Sequence, residues 1–240
     1  MSNPYLLLWL EAPLQSWGHD SKFGRRDTLN FPTKSGVLGL ICSALGAGGE
    51  QQELLAEFAP LDQTVLAFVS TRTTGNDKII KTDRQPLLRD FHMVGSGYDD
   101  QNPWESLLIP KTNEGKKAVG GGTKMTYRYY LQDAYFAVAL EVPATRANAI
   151  AEALQNPAWD VYLGRKNCVP TDFIYRGQYP TQGEAMAQAL NIASEKSLLE
   201  DFRVLCGEHS GEALTLMDVP VQFGEHKQYR DRRVTVINAE

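Results

Sequence analysis

The sequence has 240 residues, of which 42% are hydrophobic and 22% charged, and its net charge is −5. A chain of this length buries on the order of 70% of its unfolded surface, so it folds without disulfide or metal support. The composition excludes wholesale disorder. The acidic balance excludes a uniformly basic nucleic-acid-binding protein, so any nucleic-acid site must lie in a local patch.

The cysteine pattern and the start of the chain indicate a cellular setting. Cys42, Cys168 and Cys206 are odd in number and form no C-x-x-C pair, which argues against a zinc knuckle or a disulfide framework and favours a reducing cytosol. The apolar run Tyr5–Leu10 is too short for a signal peptide or a membrane span. We expect a soluble, cytoplasmic protein without a membrane partner.

Periodicity predicts, in chain order, a strand, a helix, a second strand, a long polar segment, a third strand and a second helix. The spans are Tyr5–Leu10, Thr33 or Ser35 to Gly46, Thr64–Thr73, residues 74–126, Thr126–Pro143 and Thr145–Leu154. This order predicts an α+β fold with a ferredoxin-like unit, into which residues 74–126 are inserted as a long hairpin or lid. Short strand candidates beyond residue 170 predict a small, mostly β appendage over 171–240, so the main domain is expected to span 1–170.

Basic charge is concentrated in particular segments. Lys22 to Lys34 holds four basic residues against one acidic, and residues 71–130 hold ten against seven. Tyr162 to Arg176 holds three against one, whereas Glu184 to Asp218 holds seven acidic residues against two basic. This division is typical of a protein with one face toward phosphates and another toward solvent or a protein partner. Ordinary solvated loops remain an alternative explanation.

The segment Lys34-Ser35-Gly36 stands at a predicted helix start. Its order does not fit the G-x-x-x-x-G-K-[ST] phosphate loop, so a nucleoside triphosphate site is not expected. Free backbone N–H groups beside a lysine could still bind a sugar-phosphate backbone. A plain capped core helix is the alternative.

The four histidines show no metal-binding spacing, so no metal or other cofactor is predicted. His92 with Tyr98 and nearby cations could form a metal-independent RNA-cleaving set, in which one group deprotonates a 2′-hydroxyl and another protonates the leaving oxygen. Ordinary polar contacts are the alternative for both side chains.

Aromatic residues lie in or beside the basic segments, as base stacking on a single strand requires. They are Trp17, Tyr98, Trp104, Tyr127, Tyr129 and Tyr130. Strand alternation predicts that Tyr129 and one neighbour face the core, with Arg128 on the opposite face.

Five motifs in order resemble the Cas5 family, and specifically its members in type I-E CRISPR Cascade surveillance complexes. They are PLQSWG at 13–18, R-x-T-x-x-F-P-T-K-S-G-x-L-G-L at 26–40, LRDFHMV at 88–94, YRYYLQDAYFAVAL at 127–140 and YLGRKNC at 162–168. The resemblance implies a modified ferredoxin-like, RNA-recognition-type fold with a protruding thumb. It also implies a non-catalytic subunit that binds the repeat-derived 5′ handle of CRISPR RNA and caps one end of the complex backbone in antiviral DNA interference.

Carried over by position, the resemblance implies that the 5′ handle meets the region of Trp17, the helix start, the thumb and the loop at 162–168. The candidate RNA-binding residues are Trp17, Lys22, Arg25, Arg26, Lys34, Ser35, Gly36, Arg89, His92, Tyr98, Lys124, Arg128, Gly164, Arg165 and Lys166. The implied protein partners are the Cascade large subunit and the adjacent backbone subunit, and target DNA is met only through the assembled complex.

Two other functions stay open at the level of sequence. The type I-C relatives resemble this family and process CRISPR repeat RNA themselves, so a metal-independent endoribonuclease using His92 and Tyr98 is one alternative. An α+β scaffold that binds only proteins is the other.

Overall fold

The computed structural model describes residues 2–19, 21, 24–75, 77–94, 104, 112, 114–116 and 124–239, without the side chains of Val94 and Lys124. Over these ranges the strands are β1 (Tyr5–Gln15), β2 (Arg25–Arg26), β3 (Gln63–Thr73), β4 (Ile79–Lys81), β5 (Leu88–Val94), β6 (Lys124–Glu141), β7 (Tyr175–Tyr179), β8 (Leu198–Cys206), β9 (Glu212–Gln222) and β10 (Gln228–Asn238). The helices are α1 (Lys34–Leu45), α2 (Gln52–Phe58), α3 (Ala147–Gln155) and α4 (Gln182–Glu195). None of these helices, within the part of the chain described, is long and apolar enough to cross a membrane.

The strands join in one sheet with the order β7-β1-β6-β3-β8-β10-β9. β2 and β5 pair with the first part of β6, and β4 pairs with the end of β3. All these pairings are antiparallel except that of β2 with β6. The predicted α+β class is therefore confirmed at the level of a mixed fold built on a largely antiparallel sheet.

Strands beyond residue 170 are part of this same sheet. β7 pairs with β1, and β8 pairs with β3 over six residues from Ser70↔Leu198 to Val65↔Val204. The boundary expected at 170 therefore does not coincide with a break in the sheet. Local periodicity identifies the late strands, but it carries no signal for their pairing with strands more than a hundred residues earlier.

Both faces of β1 are buried, which explains its unbroken apolar sequence. Leu6 and Leu8 belong to the larger core, which α1, α2 and α3 share. Leu7 and Trp9 point to the opposite face, where they pack with Ile192 of α4. Helices thus cover both faces of the central sheet.

Helix α1 begins and ends as the sequence predicts. The Thr33 hydroxyl accepts a hydrogen bond from the Gly36 N–H at 3.1 Å, as an N-cap does. Gly46 ends the helix with a left-handed φ of 68°, a conformation that glycine adopts without steric cost.

A buried carboxylate fixes the start of α1 to the C-terminal strands. Asp218 of β9 is 2% exposed, and its Oδ2 accepts a hydrogen bond from the Lys34 N–H at 2.7 Å. The Arg232 guanidinium of β10 donates to both Asp218 oxygens, at 2.7 and 2.9 Å. A carboxylate at a helix N-terminus is also favoured by the helix dipole.

The two halves of the long strand β6 pair with different strands. From Leu131 to Glu141 it pairs with β1, while from Lys124 to Tyr130 it pairs with β5. We call this outer pair, residues 88–94 with 124–130, the ribbon. Part of the polar segment predicted at 74–126 therefore forms the strands β4 and β5, and much of the rest lies outside the described residues.

Removing the Arg232 side chain should destabilise the fold. Arg232→Ala leaves the Asp218 carboxylate buried without its ionic partner, so the free energy of unfolding should fall by about 3 kcal/mol in urea denaturation. Arg230→Ala, at an exposed arginine of the same strand, should change it by less than about 0.5 kcal/mol. Equal, small losses in both variants would contradict this role for Asp218.

Candidate nucleic-acid interface

One face of the ribbon carries tyrosines covered by arginines. The guanidinium carbon of Arg25 lies 4.9 Å from the ring centroid of Tyr129. The guanidinium carbon of Arg89 lies 5.6 Å from the ring centroid of Tyr127. Arg89 is paired with Tyr129 and Phe91 with Tyr127, so these side chains share one face. The rings of Phe91 and Tyr127 are 5.3 Å apart and about half exposed. Exposed aromatic faces beside cations are typical of surfaces that bind single-stranded nucleic acid.

The opposite face of the ribbon is polar. The register places Asp90 beside Arg128 and His92 beside Thr126. The half-buried Arg128 donates through Nε to the Thr126 hydroxyl at 3.3 Å, and His92 Nδ1 lies 3.8 Å from Asp90 Oδ2. Tyr98, the predicted companion of His92, lies outside the described residues.

Arg165 holds the loop at 162–168 against the base of the ribbon. Its guanidinium donates to the carbonyl oxygens of Tyr129 at 3.0 Å and Arg26 at 2.9 Å, and its carbon lies 4.6 Å from the Tyr130 ring centroid. Tyr130 is 2% exposed and belongs to the core, whereas Tyr129, which strand alternation predicted to face the core, is half-buried beneath Arg25. Two of the five N–H groups of the Arg165 guanidinium therefore donate within the protein, where they hold the loop at 162–168 against the ribbon.

The same loop passes close to the segment after β1. Gly164 has a φ of 104°, and a Cβ atom added there would lie 1.8 Å from the carbonyl oxygen of Ser16. Only glycine fits this contact. The neighbouring Lys166 is exposed, so the loop presents at least one cation to solvent beside the ribbon.

The structure corrects the expectation that Lys34 contacts phosphate. Its side chain is 2% exposed, and its ammonium donates to the carbonyl oxygens of Ala59 at 3.2 Å and Leu61 at 2.5 Å, just beyond the end of α2. Burial, and next the nearby Arg232 guanidinium, lower the pKa of this ammonium to about 8. The sequence shows a lysine at a helix start. In the structure its side chain points inward, where it donates to the backbone carbonyl groups of Ala59 and Leu61.

The anion site expected at the start of α1 is also corrected. The Lys34 N–H is taken by the Asp218 carboxylate and the Gly36 N–H by the Thr33 hydroxyl. A second anion would meet the negative charge of Asp218. Ser35 and Gly36 remain half-buried at the surface of this first turn.

Trp17 is a core residue and cannot stack on a base. It is 1% exposed, and its indole N–H donates to Gln15 Oε1 at 3.1 Å. A Cβ added at Gly36 would lie 2.7 Å from the Trp17 ring, so Trp17 packs directly against the first turn of α1. The prediction that it faces RNA is therefore wrong.

The remaining predicted residues lie at the ribbon base or outside the description. Arg25 is exposed and donates to Asp27 at 2.8 Å, while the half-buried Arg26 pairs through its backbone with β6. Lys124 pairs with β5 through its backbone. Lys22 lies outside the described residues.

A groove that the sequence did not predict runs along the exposed side of α1. It has a volume of about 590 Å³ and begins at Ser16 and Gly164, beside the loop that Arg165 anchors. We call its α1 residues, most of which are small, the floor, and the mainly aromatic residues from other segments the walls. The floor includes Ser35, Gly36, Gly39 and Ser43, and the walls include Trp159, Tyr162, Phe223, Lys227 and Tyr229. No sequence motif links these walls, because they come from segments some sixty residues apart that only the fold brings together.

Comparisons with known proteins agree with one another. The family model described as CRISPR-associated protein (Cas_Cas5) matches residues 5–235. The CRISPR system Cascade subunit CasD of Escherichia coli strain K12 is 34% identical over 179 residues, which cover 72% of this chain and 70% of that protein.

Solved structures show the same similarity. A chain of a CRISPR RNA-guided surveillance complex matches with a TM-score of 0.69 and 26% identity, over 98% of this chain and 89% of that one. A crystal structure of a Cas protein matches with a TM-score of 0.58 and 26% identity, over 98% and 94% of the two chains.

The buried Lys34 ammonium should give stability a specific pH dependence. Its pKa is about 8 in the folded protein, against the ordinary lysine value of 10.5, so the folded state loses this proton at lower pH than the unfolded chain does. Between these pH values the unfolded chain binds more protons, and stability should rise with pH by about 3 kcal/mol from this group. Urea denaturation of wild type and Lys34→Met should show the rise only in wild type, whereas parallel curves would contradict it.

Proposed function

Because the chain belongs to the Cas5 family of CRISPR-associated proteins, we propose that it is a subunit of a type I-E Cascade surveillance complex. In that complex it binds the repeat-derived 5′ handle of CRISPR RNA and caps one end of the backbone. The proposed role is binding, without a chemical step. The observation that carries it is the exposed ribbon, on which Arg25 and Arg89 lie over Tyr129 and Tyr127.

We further propose that the core of this subunit is ferredoxin-like, and the order of its strands supports this. β1, β6, β3 and β7 are ordered β7-β1-β6-β3. α1 and α2 connect β1 to β3, and α3 lies between β6 and β7, so two β-α-β units are interleaved, as in a split β-α-β fold. The ribbon then corresponds to the base of the protruding thumb.

RNA cannot bind this core as it binds an RNA-recognition domain, where bases stack on an open sheet face. The equivalent face here is covered by α4, because Ala189 and Ile192 pack on Leu7 and Phe68. We therefore assign RNA contacts to the ribbon and the loops beside it, and not to the sheet face that α4 covers. Exposed basic and aromatic side chains lie side by side on the ribbon, among them Arg25, Arg89 and Tyr127.

Handle binding would combine two kinds of contact. Arg128 and Lys166, with the arginines over the tyrosines, would neutralise phosphates and make binding salt-sensitive. The rings of Tyr127 and Phe91 would stack on unpaired bases, and hydroxyl groups nearby would contact the 2′-hydroxyls that mark RNA. Lys34, Trp17 and Arg165 would act indirectly, by holding these surfaces in place.

The C-terminal strands are the surface proposed for the large subunit and the adjacent backbone subunit. Fewer of their acidic residues are free to pair with a partner protein than the charge balance indicates, because several form ion pairs within the chain. Asp201 pairs with Arg84, Glu200 with Arg203, and Glu208 with Arg233. Target DNA would be met only through the assembled complex.

Arg128→Ala should weaken retention of handle RNA without unfolding the protein. The half-buried guanidinium packs on the ribbon rather than in the core, so its loss should remove about one phosphate contact, raise Kd by about tenfold and lower the salt dependence of log K by about 1. Fluorescence anisotropy with labelled handle RNA measures both quantities.

Arg230→Ala is the matched control, since it removes an exposed arginine beside α2. It should bind RNA as wild type does. Normal RNA stoichiometry of Arg128→Ala complexes in high salt would show that Arg128 is not a handle contact.

A further inference from the structure

Gly39 in the floor of the α1 groove has no explanation within the protein. It lies inside a helix, where glycine is less stable than alanine by about 1 kcal/mol. Gly36, one turn earlier, is required because a Cβ there would meet Trp17 at 2.7 Å. A Cβ at Gly39 would meet nothing within 4 Å and would project into open space. A helical glycine that faces a groove in this way is typical of close approach by a ligand to the backbone.

The walls of the groove are held in place by backbone contacts. On one side the Ala158 N–H donates to the Ala44 carbonyl at 2.8 Å, and Trp159 lies over Gly48, whose Cβ would be 3.1 Å from the indole. On the other side the Phe223 N–H donates to the Glu50 carbonyl at 2.9 Å. The aromatic walls are therefore preformed, while about half of the Trp159 surface remains exposed.

The chemistry of the groove fits a nucleotide better than a protein segment. Among the residues that line it in the described chain, Lys227 is the charged side chain, and the hydroxyl of the wall residue Tyr162 donates to the carboxylate of Asp160 at 3.3 Å. Aromatic rings offer stacking surfaces, and the hydroxyls of Ser35 and Tyr229 offer hydrogen bonds. Its volume of about 590 Å³ is in the range of pockets that enclose a small ligand. An α-helix of a partner would instead call for aliphatic walls.

We propose that the α1 groove binds one or two nucleotides of single-stranded RNA, with a base between the aromatic walls and a phosphate near Lys227. The groove begins at Gly164, in the loop that Arg165 fixes to the ribbon, so RNA leaving the ribbon would enter it directly. The inference rests on the proposed function, and it extends the contact region implied for the helix start and the loop at 162–168 along α1 to the β9–β10 turn. Tyr229 and Lys227 become RNA-binding residues that no motif indicated.

Filling the groove from its floor tests this assignment. Gly39→Leu places a side chain in the open space and should raise the Kd for labelled handle RNA by about tenfold, through loss of one stacked base. Gly183→Leu is the matched control, because Gly183 is also helical with nothing within 4 Å but lies in α4 on the other side of the sheet. It should bind as wild type does.

Folding is checked independently, since both substitutions replace a helical glycine and should not lower the thermal unfolding temperature. Should Gly39→Leu nevertheless be destabilised, Tyr229→Ala supplies a second test, again with an expected rise in Kd of about tenfold. Ultraviolet crosslinking of wild type to handle RNA should yield base adducts on Trp159 or Tyr229.

The outcomes separate the two proposals. If wild type binds handle RNA and Arg128→Ala weakens it, but Gly39→Leu and Tyr229→Ala bind normally, the groove is not an RNA site although the proposed function stands. Loss of a protein subunit from Gly39→Leu complexes with unchanged RNA affinity would make the groove a protein-docking surface and overturn the assignment. If wild type binds no handle RNA, both proposals fail.

Discussion

The position of α1 depends on one buried carboxylate. Asp218 accepts hydrogen bonds from the first N–H of the helix, at 2.7 Å, and from Nε and Nη2 of Arg232. It therefore joins the last two strands to the N-terminal half of the chain. Lys34 completes the arrangement by donating to the carbonyls that follow α2. Through Gly36, the same helix turn supports Trp17 and the segment that leads to the ribbon. Loosening this junction would therefore disturb both the ribbon base and the groove along α1.

The basic side chains discussed above fall into two groups with different roles. Lys34, Arg165 and Arg232 point inward and hold helix ends, loops and a carboxylate. Arg25, Arg89, Arg128 and Lys166 remain half-buried or exposed around the ribbon. An acidic protein can thus present a basic, aromatic surface, since much of its negative charge on the C-terminal strands is paired internally. Coverage of the sheet by α4 explains why that surface lies on the ribbon and not on the sheet.

Sequence predicted the features that depend on neighbouring residues. The caps of α1 at Thr33 and Gly46 were predictable because capping chemistry is local, and the late strands because alternation is local. The burial of Trp17 and Lys34 was not, since it depends on Gly36, Ala59 and Leu61 lying nearby in the fold. The groove was missed for the same reason, because its walls are assembled from distant segments. Membership of the family, by contrast, was visible in five ordered motifs, and the match over residues 5–235 confirms it.

The most direct test of the proposed function is a pull-down of the tagged chain from cells that express the other subunits and a repeat array. The RNA that co-purifies is sequenced to map its ends, with and without the dedicated repeat endoribonuclease. The proposal predicts guide RNAs that begin with a repeat-derived handle, one copy per particle, and that lose their mature ends when that endoribonuclease is deleted. Mature ends that persist in the deletion strain would make this chain the nuclease, and a particle without RNA would contradict an RNA-binding role altogether.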